Sequence, residues 1–267
     1  MGSFTQALTA LKTSVADVQA IQQLPAQAAS VQTSVCQSLH TILTEAPVFQ
    51  TNLLASIGPA KAALDTAIAE LEKNADATSK IASIISGITD TISNYRSQAT
   101  SLVAMLSSAT NEVSGSFTTL SNAEGTMQSQ IATLQGQVNA AKGQMEAAQK
   151  RYYYLLALGP LGLAGLAIAL GLYFHWKSQV DDLQNQVNAL NNQIRPLQAM
   201  IAACKSLASS EGIALQRMTS LKNTIDTTIA DLTDALKDLN SNVAPATLEL
   251  FLRACQGILI TLGEDAS

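Results

Sequence analysis

The residue types that most often carry out catalysis are few in this chain, and their spacing does not suit it. The two histidines, His40 and His175, lie far apart and belong to no zinc-binding HExxH pattern. The sequence also lacks a glycine-rich phosphate-binding loop and the GxSxG pattern of a nucleophilic serine. Carboxylate pairs such as Asp181 and Asp182 lie in coil-like sequence, where charged residues usually keep a face solvated. We therefore predict a protein that is not an enzyme and that uses no cofactor or metal.

The three cysteines, Cys36, Cys204 and Cys255, show no CxxC spacing and form an odd set. Cys204 and Cys255 fall on apolar stripes, which predicts buried free thiols. A disulfide between these two is the alternative.

The feature that points to a function is an uncharged run from Tyr152 to Trp176, flanked by Lys150-Arg151 and Lys177. Its ends carry four of the five tyrosines and the only tryptophan, and its middle is leucine and small residues. Aromatic residues at the ends of an apolar stretch are typical of membrane interfaces, where an amphipathic ring lies at the level of the headgroups. We call residues 152–176 the head.

A break at Gly159-Pro160 divides the head. Proline excludes the helical conformation at the residue before it, and the glycines that follow weaken a helix. A turn within residues 159–165 leaves two helical pieces of roughly ten residues, each about half the hydrocarbon thickness long. The pattern therefore favours a hairpin that dips into one leaflet over a helix that crosses once.

Two long apolar stripes with alternating steps of three and four flank the head. One runs from Ile81 to Tyr152, and the other runs from Val180 to Val243 and weakens through Glu211. Such stripes need a partner helix, and the two arms are matched in length about the break. We predict that they pair antiparallel, with Ile131 close to Val187.

Composition fits an elongated helical protein, since aromatic residues make up only 4% and charged residues 13%. A net charge of -5 argues against a nucleic-acid partner. The first residues carry apolar positions at helical spacing and lack the continuous apolar stretch of a secretory signal. Pro25, Pro47 and Pro59 divide residues 1–80 into short helices, and Pro245 opens a last helix.

The membrane affinity of the head comes from its leucines together with Ile168 and Phe174. On the insertion scale these residues sum to about -3 to -6 kcal/mol, which makes one copy a modest anchor. Several copies acting together hold more firmly, which indicates assembly on the membrane. The residues expected to insert are Tyr152, Tyr153, Tyr154, Leu155, Leu156, Leu158, Gly159, Pro160, Leu161, Leu163, Leu166, Ile168, Leu170, Leu172, Tyr173, Phe174 and Trp176.

This layout resembles the cytolysin A superfamily of α-helical pore-forming toxins. Those proteins combine a tail of short helices, two very long antiparallel helices and an internal apolar head. The multi-component haemolysins and enterotoxins, including haemolysin BL, non-haemolytic enterotoxin and the tripartite Gram-negative toxins, are most similar in size and arrangement. No short motif carries the resemblance, which rests on architecture over nearly the whole chain.

The resemblance implies an all-α fold in three parts. Residues 1–115 and 205–267 would form the tail bundle, residues 116–151 and 177–204 a coiled stalk, and residues 152–176 the membrane-inserting head. By analogy, the chain would be the component whose head enters one leaflet and recruits the other toxin components into a lytic pore. It would be secreted without a signal peptide of the usual kind and would exist in a soluble form and a membrane-bound form.

A soluble monomer rarely exposes an apolar surface as large as this head, so we expect soluble copies to associate with their heads hidden, or the head to fold against the tail. The small residues Gly165, Ala167, Ala169 and Gly171 would allow close approach between helices. Two other functions remain open. One is a single-pass membrane scaffold or receptor-like protein, and the other is a soluble structural coil whose apolar run is buried in an oligomer.

Overall fold

The computed structural model describes residues 3–73, 78–157, 163–241 and 245–267. Five helices follow one another along the chain: α1 Ser3–Gln19, α2 Ala26–Lys73, α3 Thr78–Ala157, α4 Leu163–Asn240 and α5 Pro245–Ala266. The all-α prediction is confirmed. The two longest helices, α3 and α4, contain 80 and 78 residues, as the two long apolar stripes predict.

The chain divides into two compact units. Unit 1 contains Met1–Ala20, Val31–Ser116 and Ala203–Ser267, and unit 2 contains Ile21–Ser30 and Phe117–Ala202. All five helices contribute to unit 1, whereas the apolar seam of unit 2 comes from α3 and α4.

The first and last helices both bury an apolar stripe in unit 1. In α1 the buried residues include Phe4, Leu11 and Val18, at the helical spacing that the sequence shows. Helix α5 begins at Pro245 as predicted and buries Leu248, Leu252, Cys255, Leu259 and Leu262. Burying one such leucine or phenylalanine side chain contributes about 1.5–3 kcal/mol, so both stripes stabilise unit 1.

The predicted division of residues 28–72 into short helices is wrong. Helix α2 runs unbroken for 48 residues with Pro47 and Pro59 inside it. Each proline in a helix interior costs about 3 kcal/mol, because it removes a hydrogen bond and clashes with the preceding turn. Both prolines are exposed, so water can reach the carbonyl groups that they leave unpaired. The stripe beside them stays buried throughout, at Val35, Leu39, Ile42, Ala46, Phe49, Leu53, Ile57, Ala60, Leu64, Ala67 and Leu71, and this packing outweighs the cost.

Helices α3 and α4 pair antiparallel, which confirms the prediction from the matched stripes. In unit 1 the Nε atom of Arg96 lies 2.6 Å from a carboxylate oxygen of Asp226. Lys222 also contacts this carboxylate, at 2.7 Å, and its hydrogen bond and charge, together with Arg96, lower the pKa of Asp226. These pairs are partly solvated, so each adds little to stability.

The seam between α3 and α4 in unit 2 is narrow. Ile131, Val187 and Ile194 form a buried cluster, with Met127, Leu134 and Leu190 packed against it. The predicted proximity of Ile131 and Val187 is therefore confirmed. Further from the head, the Nε2 atom of Gln198 donates a hydrogen bond of 2.7 Å to the carboxylate of Glu124. A residue earlier in α3 thus pairs with a residue later in α4, as an antiparallel pair requires.

All three cysteines are free thiols, and no disulfide joins Cys204 to Cys255. Both of these side chains are buried, as their places on the apolar stripes predict. Burial raises the pKa of each to about 11, so both thiols are uncharged at neutral pH.

Candidate membrane-binding head

Two helix ends build the head. Residues 152–157 are the last turns of α3, and residues 163–176 are the first turns of α4. Among the described residues, the part of the head that belongs to α4 is longer than the part that belongs to α3.

The apolar side chains of the head point largely into solvent. Tyr154 and Ile168 are each 67% exposed, Leu156 is 55% exposed and Phe174 is 56% exposed. Tyr153, Leu170 and Leu172 are exposed as well, while Tyr152, Leu155, Leu166, Tyr173 and Trp176 are half-buried. Exposed apolar side chains in such a group mark a surface that binds another apolar surface.

The two helix ends touch at Gly165. A Cβ atom placed on Gly165 would lie 3.0 Å from the Cδ1 atom of Leu155, closer than side-chain carbons normally approach. A side chain at this position would therefore press on the end of the Leu155 side chain, which would have to move by a few tenths of an ångström. Ala169, one turn further along α4, is buried as well, at 3% exposed. The sequence marks both residues as small, but only the structure shows that they pack within the head.

Aromatic rings lie at the base of both helix ends. Tyr152 and Tyr153 on α3 have ring centroids 5.7 Å apart, and Tyr173 and Phe174 on α4 have theirs 5.6 Å apart. Trp176 lines a groove with Ala141 and Gln144 of α3, which places it further from the break than the tyrosines of α3. Lys150, Arg151 and Lys177 next to these rings are exposed. This order, with cations and aromatic rings behind an apolar tip, suits the boundary between headgroups and hydrocarbon.

Five of the predicted head positions have no described side chain. Leu158, Gly159, Pro160 and Leu161 lie outside the described residues, and Leu163 is placed only as the start of α4. The predicted turn at Gly159-Pro160 lies in the same segment.

In the parts of the chain that the structure describes, no helix is both long and apolar enough to cross a membrane. Over the same residues, no group of three or more histidine, cysteine or acidic side chains could hold a metal ion.

The helical bundle is the fold of α-helical pore-forming toxin components, and the resemblance seen in the sequence is confirmed at the level of the fold. The soluble triple head mutant of AhlC, from the tripartite toxin AHL of Aeromonas hydrophila, superposes with a TM-score of 0.87 at 22% identity. The match covers 100% of this chain and 98% of that one.

Two further structures extend the likeness. The pre-pore form of AhlB from the same toxin has a TM-score of 0.74 at 16% identity, with 100% of this chain and 90% of that chain covered. The HblL1 toxin component of Bacillus cereus has a TM-score of 0.54 at 12% identity, with coverage of 99% and 94%. No protein-family model matches the sequence, and no curated protein matches it.

Proposed function

We propose that this chain is a non-enzymatic component of a multi-component α-helical pore-forming toxin. Its head, residues 152–176, binds one leaflet of the target membrane, and partner components join it there to form the lytic pore. The observation that carries the proposal is the group of exposed apolar side chains, led by Tyr154, Leu156, Ile168 and Phe174, at the end of an antiparallel helix pair. The fold shared with components of tripartite toxins supports it.

The α4 part of the head is too short to cross the bilayer. From Leu163 to Trp176 the α4 helix rises about 20 Å at 1.5 Å per residue. With Trp176 among the headgroups, the first turn of α4 lies deeper than the bilayer midplane, which is at about 15 Å. It stays well short of the opposite interface, which is at about 30 Å. One leaflet therefore receives most of the apolar surface.

The packing of α3 against α4 favours this hairpin over a single-pass scaffold. A helix that crosses once carries its two flanking arms to opposite sides of the membrane. Here the arms contact each other, through Ile131 with Val187 and through Leu155 with Gly165. In this proposal residues 116–151 and 177–204 are the stalk, and residues 1–115 and 205–267 are the tail bundle.

The proposed protein is secreted and has a soluble form and a membrane-bound form. In the soluble form, copies associate through their heads, because the exposed apolar side chains are otherwise in water. Gly165 and Ala169 already pack within their own head, whereas Ala167 and Gly171 are exposed and let a second head approach. Light scattering at micromolar concentration is expected to give a mass above that of one chain, and Ile168→Asp is expected to reduce it toward one chain. A wild-type protein that stays monomeric would contradict the head-to-head association.

A flotation and lysis experiment tests the function itself. The purified chain is expected to stay in solution alone, to float with added phosphatidylcholine liposomes, and to lyse cells only with its partner components present. A scaffold would instead sediment with the membranes of its expression host, and a structural coil would bind no liposomes. Either of those results would overturn the proposal.

A further inference from the structure

Unit 1 contains a carboxylate that lacks any partner for its charge. Glu211 on α4 is 0% exposed, and neither of its carboxylate oxygens has a hydrogen-bond partner. Glu211 belongs to the buried seam of α4, in which steps of three and four residues alternate. The other members of this seam nearby are all buried: Cys204, Leu207, Ala214 and Met218. The interruption of the apolar stripe at Glu211 is therefore not an exposed gap. An ionised carboxylate without a partner in such a place is strongly unfavourable.

Four helices contribute groups around this position. Helix α3 contributes Glu112, whose carboxylate accepts a hydrogen bond from the Ser34 hydroxyl of α2. Helix α1 is tied to the residue beside Glu211 by a buried hydrogen bond of 2.9 Å between the hydroxyls of Ser14 and Ser210. The charged residues of α1, Lys12 and Asp17, are exposed.

The titratable groups here disfavour the ionised form of Glu211. Burial, followed by the negative charge of Glu112, raises the pKa of Glu211 to about 7. Burial, followed by Cys36 of α2 and Glu211, raises the pKa of the Cys204 thiol on α4 to about 11. Burial also raises the pKa of Cys36. Both thiols thus stay protonated between pH 5 and 8, and Glu211 is the group in this cluster that changes charge near neutral pH.

We propose that Glu211 is a protonation switch in unit 1. The protonated side chain allows α4 to pack tightly against α1, α2 and α3 at this level, and the ionised side chain loosens that packing. No membrane is needed for the change, so the proposal stands apart from the toxin function. If the chain rearranges before it assembles with partners, a small change of pH at Glu211 would weaken the packing of α4 and make that rearrangement easier.

The direction of the pH effect follows from linkage. The folded protein binds the Glu211 proton more tightly than the unfolded chain, whose glutamate has its ordinary pKa. The penalty is therefore absent at acidic pH, grows as the pH rises, and is complete above the folded pKa of about 7. Between pH 6 and pH 8 this single group increases the population of the loosened state about tenfold.

Thiol labelling measures this loosening close to Glu211. Cys204 and Cys255 are both buried, and their pKa values are raised to the same value of about 11. Maleimide reaches either thiol only when it opens to water, where both have the ordinary thiol pKa, so the ratio of their labelling rates, resolved by peptide mass spectrometry, cancels the effect of pH on thiolate chemistry. We expect the ratio of Cys204 to Cys255 to rise about tenfold from pH 6 to pH 8 in the wild type. In Glu211→Gln, whose side chain does not titrate, the ratio should be the same at pH 6 and at pH 8.

Two further variants complete the test. Glu45→Gln removes an exposed glutamate from α2 and should leave the wild-type rise unchanged. Glu112→Gln removes the charge that faces Glu211 and should move the rise to lower pH, a result that does not depend on how well Glu211→Gln folds. A flat ratio in the wild type, an equal rise in Glu211→Gln, or an unmoved midpoint in Glu112→Gln would overturn the proposal. None of these readouts involves membranes, so they cannot be confused with a failure of the toxin function.

Discussion

Ile168→Asp is expected to weaken the binding of this chain to liposomes by about 100-fold. Ile168 is 67% exposed in the first turns of α4, so its replacement disturbs little packing in the soluble form. An aspartate near the centre of an inserted helix costs about 2.5–3.5 kcal/mol, and each 1.4 kcal/mol is a factor of ten in affinity. Lysis with partner components should fall in parallel. Flotation with liposomes and haemolysis measure the two effects.

Leu250→Asp is the matched control for this variant. Leu250 on α5 is 70% exposed, so the control places the same charge at an equally exposed apolar position outside the head. It should bind and lyse like the wild type, and both variants should keep their helix content by circular dichroism. Leu166→Asp is a weaker choice, because Leu166 is half-buried and the substitution also disturbs packing. An Ile168→Asp protein with normal binding and lysis would show that the head is not the membrane-binding element.

Gly165→Ile is expected to separate the two helix ends of the head. The added side chain would collide with Leu155, whose Cδ1 atom lies 3.0 Å from the new Cβ position. Overpacking of this kind costs about 1–3 kcal/mol, which corresponds to a loss of about tenfold in any step that needs the closed hairpin. We expect faster hydrogen exchange at residues 163–176 and about tenfold weaker liposome binding.

Gly171→Ile separates this steric effect from the change of residue type. Gly171 lies on the same helix, and nothing lies within 4 Å of a Cβ atom placed on it. Both variants gain the same apolar side chain and lose the same glycine, so Gly171→Ile should bind at least as tightly as the wild type. Equal binding and equal exchange in the two variants would mean that the contact between Leu155 and Gly165 does not hold the hairpin together.

The long helices could be predicted because their seams repeat over many turns with few interruptions. A stripe with steps of three and four residues specifies both a helix and a partner, and the matched lengths on either side of the head specify an antiparallel pair. That reasoning placed Ile131 beside Val187, and it recognised the last helix from Pro245 onward.

The errors arise where tertiary packing outweighs local preference. Pro47 and Pro59 were predicted to be helix boundaries, but a buried stripe along α2 holds the helix together through both. Glu211 read as a weak point in a stripe, since a charged residue at a seam position usually faces water. The close contact of Leu155 with Gly165 could not be predicted, because spacing marks Gly165 as small without showing which side chain fills the space.

The antiparallel pairing of α3 and α4 also sets the order in which this chain is expected to fold. Leu155 and Gly165 are neighbours in sequence, so bringing them together costs little loop-closure entropy, whereas Arg96 and Asp226 close a far longer loop. The hydrogen bond from the Thr5 hydroxyl to the carbonyl of Ser267 joins residues 262 positions apart. Contacts between α3 and α4 are therefore expected to form first near the apolar head and later toward Arg96 and Asp226. The contacts between the two chain ends form last. A nascent chain thus completes its most aggregation-prone segment before the rest of α4 and α5, which complete the bundle, have been synthesised.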